Sequence, residues 1–161
     1  MTLKDQIIAW LIDYRRLAVL GIGNPIRGDD AVGMEILKAL RRKVPENVRL
    51  FECEMVPENF LSEIEMFNPS HVLMIDAAHF EAEAGEARLI PPEKIPGTAL
   101  STHAMPLSLF AEILRENLKV KVVLLGVQPE KVEFGEDLTP RLREASKEIA
   151  GIVRKALEEM S

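Results

Sequence analysis

Cysteine is almost absent from this chain of 161 residues, since Cys53 is the only one. A single cysteine excludes an intrachain disulfide, so we expect a reducing compartment, the cytoplasm. Aromatic residues make up only 5% of the sequence, and no apolar run reaches the roughly 20 residues that a membrane helix requires. Residues 1–16 carry Lys4 and Asp5 and have no long apolar stretch, so we expect neither a signal peptide nor membrane insertion.

Positive charge is also scarce, because 20 Lys and Arg stand against 26 Asp and Glu for a formal net charge of −6. No basic cluster stands out beyond short runs such as Arg41-Arg42, so we expect no nucleic-acid partner. The motifs H-E-x-x-H and G-x-S-x-G are missing as well. Their absence argues against a zincin-type metalloprotease and an α/β-hydrolase serine enzyme.

Short apolar runs alternate with amphipathic helical patterns along the chain. Strands are predicted at residues 17–21, 48–53, 71–78, 87–91 and 121–127, with an edge strand at 132–135, and helices at 31–43, 57–67, 107–118 and 139–160. Nearly continuous apolar strands between helices indicate an α/β fold with a mostly parallel sheet covered on both faces. We predict one domain over residues 1–161, with a core at 17–160 and an extra N-terminal helix at 2–15.

The first predicted strand runs into a glycine-rich loop, GIGNPIRGDDAVG at residues 21–33. Many α/β proteins hold a phosphate at such a loop, but Ile26 replaces the third glycine of the dinucleotide fingerprint, and the P-loop lysine is missing. Asp29 and Asp30 at the loop mouth would repel a phosphate and would suit a cation. Asp29 is also predicted as the N-cap of the next helix, with a supporting role behind Asp30.

Two further side chains stand where later strands and loops are predicted to reach the same edge of the sheet. Asp76 ends the apolar strand at 71–78, and His103 lies in the loop before the helix at 107–118. His71 precedes its strand at the wrong edge, and His79 follows Asp76 by only three residues. Two carboxylates and an imidazole form a plausible site for a first-row metal ion. Without a metal, Asp76 would simply be a solvated residue at a strand end, and His103 an exposed loop histidine.

The opening loop resembles the N-terminal signature of the [NiFe]-hydrogenase maturation endopeptidases, which reads G-x-G-N, four variable residues, two acids, two variable residues and G. The likeness continues through VPEN, HVLMIDAA, STHAMPLSLF and LLGVQPEKVEFGEDLTP, and so covers the chain from about residue 17 to the final helix. The STHAMPL and GVQP segments look most like the branch that processes the formate-hydrogenlyase (hydrogenase 3) type of large subunit. The resemblance implies a single-domain, three-layer αβα sandwich of the phosphorylase/hydrolase-like kind.

The resemblance further implies an endopeptidase that removes a C-terminal extension from the hydrogenase large-subunit precursor after nickel insertion. Carried over by motif, the nickel ligands would be Asp30, Asp76 and His103, and the nickel would come with the substrate. The family usually acts as a cytoplasmic monomer on that precursor alone. Its Asp-Gly-Gly after the second strand is replaced here by Glu52-Cys53-Glu54, so the transfer of the aspartate's role to Glu52 is an open question.

Three alternatives stay open on the residues alone. The chain could carry nickel without cutting, although it has no His-rich or Cys-rich tract. It could share only its fold with flavodoxin-like or nucleosidase-like proteins, since a fold does not assign a function. Finally, Cys53 with His103 could form a nucleophile pair, although a lone cysteine in an apolar strand is usually a buried small hydrophobe. The extra helix, residues 2–15, is a packing element, a lid, or a segment that inserts into a neighbouring molecule.

Overall fold

The structure is a computed structural model that describes residues 1–96 and 105–161. Within these ranges the helices and strands are α1 Leu3–Trp10, β1 Leu17–Ile22, α2 Val32–Leu40, β2 Val48–Glu54, α3 Leu61–Phe67, β3 His71–Ala77, β4 Ala87–Ile90, α4 Leu107–Leu118, β5 Lys121–Val127 and α5 Pro140–Met160. The alternation of strands and helices that the sequence predicts is therefore confirmed. None of these described helices is both long and apolar enough to cross a bilayer.

The strands form one sheet in the order β2-β1-β3-β5-β4. β1 is parallel to β2 and β3, and β3 is parallel to β5, whereas β4 runs antiparallel along β5. This arrangement confirms the predicted single-domain α/β fold with a mostly parallel sheet. Because β2 and β3 lie on opposite sides of β1, the strand order reverses there. In sheets of this kind the ligand-binding crevice lies beyond the carboxyl ends of the strands at that point, here β1 and β3.

Two buried apolar clusters cover the two faces of the sheet. Side chains of α1, α2 and α5 pack on one face with Leu73 and Ile75 of β3. Side chains of α3 and α4 pack on the other face with Val72 and Met74 of the same strand. Because successive residues of a strand point to opposite faces, one apolar run serves both clusters, which produces the three-layer sandwich.

The N-terminal helix is an integral part of the first helical layer. It begins at a capping box in which Thr2 and Asp5 bond each other's backbone N–H, and it ends at Trp10, earlier than predicted. Ile7 and Leu11 are each only 1% exposed, and the helix packs against α5. Trp10 contacts His71, the first residue of β3, at a ring-centroid distance of 5.0 Å. The helix therefore lies at the amino ends of the strands and packs as a core element, not as a lid over their carboxyl ends.

Two further predicted elements differ from the structure. The helix expected at residues 31–43 starts as a 3-10 turn, Gly28–Ala31, and its α-helical part ends at Leu40. Residues 132–135 form no strand, so the predicted edge strand is wrong. The backbone there bonds elsewhere: the N–H of Gly135 donates to the carbonyl of Ile26 at 2.8 Å, and that of Gly28 donates to the carbonyl of Glu136 at 2.9 Å. The segment is thus attached to the opening loop instead of to the sheet.

Gly33 lets α2 lie directly on the sheet below the opening loop. A Cβ atom at Gly33 would stand 2.3 Å from the carbonyl oxygen of Ile75 and 2.5 Å from that of Ile22. Both are backbone atoms of β1 and β3, so they have little freedom to move away. The last glycine of the opening motif is therefore required for close packing between helix and sheet.

Replacing Gly33 by alanine is expected to lower the free energy of unfolding by about 2–3 kcal/mol, because the added methyl group forces α2 away from β1 and β3. Gly151 of α5 offers a matched control, since no atom lies within 4 Å of its hypothetical Cβ. There alanine should stabilise by up to about 1 kcal/mol through helix propensity. Urea denaturation of both variants measures the difference, and equal stabilities would contradict the close packing.

A candidate metal-binding crevice at the strand ends

Asp76 occupies the carboxyl end of the central strand β3. Its side chain is only 3% exposed, and its Oδ1 accepts a hydrogen bond from the backbone N–H of Ala77 at 2.8 Å. Its backbone lies opposite Gly126 of β5 in the parallel ladder. Asp76 is therefore a buried carboxylate at the carboxyl end of β3, and the alternative of a solvated strand end is wrong.

Asp30 reaches the same crevice from the 3-10 turn that precedes α2. It is fully buried, and its Oδ2 accepts from the backbone N–H of Asn24 at 3.3 Å. The turn stands against Gly23, whose φ of +146° is a conformation that favours glycine. A Cβ at Gly23 would lie 1.9 Å from the backbone oxygen of Asp30 and 3.4 Å from Oδ1 of Asp76. Gly23 therefore leaves room for the backbone of Asp30 on one side and for the carboxylate of Asp76 nearby.

Asp29 has a different role from the predicted helix N-cap. The residue at the start of the 3-10 turn is Arg27, and no side chain caps either that turn or α2. The fully buried carboxylate of Asp29 instead accepts from the backbone N–H groups of Glu130, Lys131 and Thr139 at 2.8–3.0 Å. The hydroxyl of Thr139 also lies within 3.0 Å of both carboxylate oxygens. Asp29 thus joins the opening loop to the segment before α5.

Glu52 lies apart from this crevice. It stands beside Gly21 in the ladder, so β1 separates it from β3, and its side chain is 45% exposed and paired with Arg41. Together they line an open pocket of about 390 Å³ between α2, β2 and residues 137–138. The structure therefore gives Glu52 an ion-pair partner on the surface and does not bring its carboxylate to Asp76.

The histidines fall into different regions. His71 is buried beside α1 at the amino end of β3, and burial lowers the pKa of its imidazole. His79 is exposed and its Nδ1 lies 2.9 Å from Nε2 of Gln128. His103 lies outside the described residues, so the predicted convergence of three ligands stays a prediction. Within residues 1–96 and 105–161, no group of three His, Cys, Asp or Glu side chains could hold a metal ion.

Cys53 points into the core cluster of α3 and α4 and is only 1% exposed. Burial, with smaller contributions from Glu63 and Glu58, raises the pKa of its thiol to about 12. A nucleophilic cysteine must be an accessible thiolate, and this one is neither accessible nor ionised at neutral pH.

The Cys53→Ala variant is therefore expected to keep its activity within about twofold, with the loss of one small buried side chain felt only in stability. The native protein should also resist alkylation by iodoacetamide until denaturant is added. Rapid alkylation in native buffer together with lost activity would restore the nucleophile hypothesis.

Asn24 and Gln128 are buried polar residues that the sequence reasoning did not single out. The Oδ1 of Asn24 accepts from the backbone N–H of Ile26 at 3.1 Å and so shapes the opening loop. The Oε1 of Gln128 accepts from the N–H groups of Phe80 and Ala82, which holds the loop after β3. Gln128 directly follows the apolar strand β5, just as Asp76 ends the apolar strand β3. The pattern that identified Asp76, a polar residue at the end of an apolar strand, could therefore have identified Gln128 as well.

The carboxylates of Asp30 and Asp76 are of a type that divalent metal ions bind. A buried carboxylate is costly unless a cation or hydrogen-bond donors lie beside it, and the guanidinium of Arg27 stands 3.8 Å from Oδ2 of Asp30. Carboxylate oxygens with one imidazole are suitable ligands for divalent first-row metals. Two side chains leave most of a coordination shell open, so other ligands can come from a bound molecule.

Comparison with known proteins identifies the family of this chain. Residues 34–156 match the model of the HycI hydrogenase maturation protease family. The hydrogenase 3 maturation protease of Escherichia coli K12 is 30% identical over 128 residues, covering 79% of this chain and 81% of that protein.

Solved structures show the same relationship. The crystal structure of the [NiFe] hydrogenase maturation protease HycI from Thermococcus kodakarensis KOD1 is 31% identical with a TM-score of 0.87, covering 95% of this chain and 99% of that one. The solution structure of the endopeptidase HycI from Escherichia coli is 26% identical with a TM-score of 0.77, covering 91% and 92%. With the family match spanning most of its length, the chain belongs to the hydrogenase maturation protease family, whose members are peptidases.

Proposed function

We propose that this chain removes the C-terminal extension of a [NiFe]-hydrogenase large-subunit precursor after nickel insertion, and that the inserted nickel is its recognition signal. The observation that carries the proposal is the burial of two acids beside Gly23-Asn24 at the switch in strand order: Asp76 presents its carboxylate to Gly23, and Asp30 presents its carboxylate to the backbone N–H of Asn24. A site built for a small organic ligand would not place two acids at this point. We also propose that the enzyme acts as a cytoplasmic monomer.

The nickel is part of the substrate in this proposal. Asp30 and Asp76 supply hard oxygen ligands, His103 supplies an imidazole nitrogen, and the precursor supplies the remaining ligands. In this reaction the chain supplies part of the coordination shell of the ion. Coordination places the adjoining peptide bond in the crevice. We propose water as the nucleophile, with the peptide carbonyl polarised by the ion.

Exposed apolar side chains beside the crevice support a protein substrate. Ile26 and Phe134 are 63% and 64% exposed, and they are joined through the hydrogen bond between Ile26 and Gly135. Large exposed apolar side chains in a group often mark a protein contact surface. Their place on the opening loop and on the segment that Asp29 anchors would bring the precursor next to Asp30.

The test is an incubation with purified large-subunit precursor in nickel-loaded and nickel-free forms, read by intact mass. Loss of one defined C-terminal peptide from the loaded precursor alone is the expected result. Equal cutting of both forms would contradict nickel recognition. Tight binding of nickel with no cutting would favour the carrier alternative.

A further inference from the structure

We propose that Arg27 is a positioning residue that holds Asp30 and keeps the affinity of the crevice for free divalent ions low, an inference that rests on the proposed function. The crevice would then accept nickel presented inside a protein and would discriminate against nickel in solution. Arg27 contacts both Asp30 and Phe134 and brings a positive charge to the buried acid.

The guanidinium of Arg27 lies at the mouth of the crevice. Its Nη1 stands 3.8 Å from Oδ2 of Asp30, and its side chain is 18% exposed whereas that of Asp30 is fully buried. The same residue is bound through its backbone, since its carbonyl accepts from the N–H of Asp30 at 3.1 Å. Arg27 therefore sits between the acidic site and solvent on one short turn.

The guanidinium of Arg27 also contacts an aromatic ring. The Cζ of Arg27 lies 5.5 Å from the centroid of the Phe134 ring, within the range of a cation–π contact. Phe134 belongs to the segment that Asp29 anchors to the opening loop. When a metal ion binds the carboxylate of Asp30, the guanidinium can keep its contact with the Phe134 ring. Metal binding therefore does not require the guanidinium to move into bulk water.

The positive charge has two consequences for Asp30. It offsets the negative charge buried at Asp30 and so holds this carboxylate in place before substrate arrives. It also repels an incoming divalent ion, because the ion must approach the same carboxylate. A free ion brings few contacts to overcome this repulsion, whereas nickel within a precursor arrives with the binding energy of a whole protein surface.

Calorimetric titration of the full chain with nickel chloride tests the proposal without any precursor. The Arg27→Met variant should bind nickel at least about tenfold more tightly than the native protein, since close charge pairs commonly couple by that much. Arg27→Lys keeps the charge and should stay within about threefold of the native affinity. Adding Asp30→Asn to Arg27→Met should reverse the gain.

We also expect the Arg27 variants to differ from the native enzyme in how strongly free nickel inhibits precursor cutting. Free nickel should inhibit cutting of the loaded precursor by Arg27→Met at about tenfold lower concentration than it inhibits the native enzyme. Circular dichroism checks folding, and Arg27→Gln replaces the Met variant if that one does not fold. Unchanged, weaker or unmeasurable nickel binding by the neutral variants would overturn the inference. If they bind nickel more tightly but no precursor is cut, the proposed function fails and the inference about Arg27 stands.

Discussion

The Asp76→Asn variant is expected to lose at least about 100-fold in processing of nickel-loaded precursor, while its fold is retained. The amide keeps the size of the carboxylate, which is 3% exposed at the end of β3, but it is a much weaker ligand for a metal ion. Loss of even an outer partner at a metal site commonly costs 10–100-fold, so loss of a ligand should cost at least that much. The rate of cleavage, followed by intact mass under single-turnover conditions, measures this loss. The Asp30→Asn variant should show a loss of similar size.

A matched control separates this effect from a general loss of acidic charge. Glu130 is exposed next to the same segment, and the Glu130→Gln variant should process precursor at the native rate. Circular dichroism must show that both aspartate variants fold, because a buried acid can also serve stability. Native activity of a folded Asp76→Asn protein would show that this carboxylate is not a metal ligand.

The Asp29→Ala variant is expected to have the largest effect on stability, a loss of about 3–5 kcal/mol in the free energy of unfolding. The buried carboxylate accepts from three backbone N–H groups and from the hydroxyl of Thr139. Alanine would leave these donors buried without their acceptor, and each unsatisfied donor costs about 1–3 kcal/mol unless water enters. For a domain of this size, the loss corresponds to a melting temperature lower by about 10 °C.

Thermal and urea denaturation measure this loss directly. Asp137 is an exposed acid of the anchored segment, and its replacement by alanine should change stability by no more than about 0.5 kcal/mol. Asp29→Asn should fall between native and alanine variants, because one of its side-chain oxygens is retained. If Asp29→Ala were as stable as the native protein but inactive, Asp29 would act in catalysis and not as an anchor.

The neighbouring acids Asp29 and Asp30 make separate contacts, and we expect them to have separate roles. Consecutive residues of the 3-10 turn point in different directions, so one carboxylate faces the segment before α5 and the other faces Asn24 and Arg27. The first is expected to affect mainly stability and the second mainly processing. Comparing both properties in the two variants would separate these roles.

The sequence by itself determined the alternation of strands and helices, the mostly parallel sheet, the location of Asp76 at the end of β3 and that of Asp30 in the segment between β1 and α2. These features depend on local patterns, namely apolar runs and turn residues. Asp76 was recognisable because a charged residue ending an apolar strand must reach one edge of a parallel sheet.

Only the tertiary structure decided which groups those residues contact. Asp29 bonds to Thr139, which is 110 residues further along the chain, and residues 132–135 bond to the opening loop instead of forming a strand. Glu52 pairs with Arg41, and α1 packs at the amino ends of the strands. The physical reason is that a hydrogen-bond acceptor has no preference for one distant donor until the sheet and helices have brought their loops together.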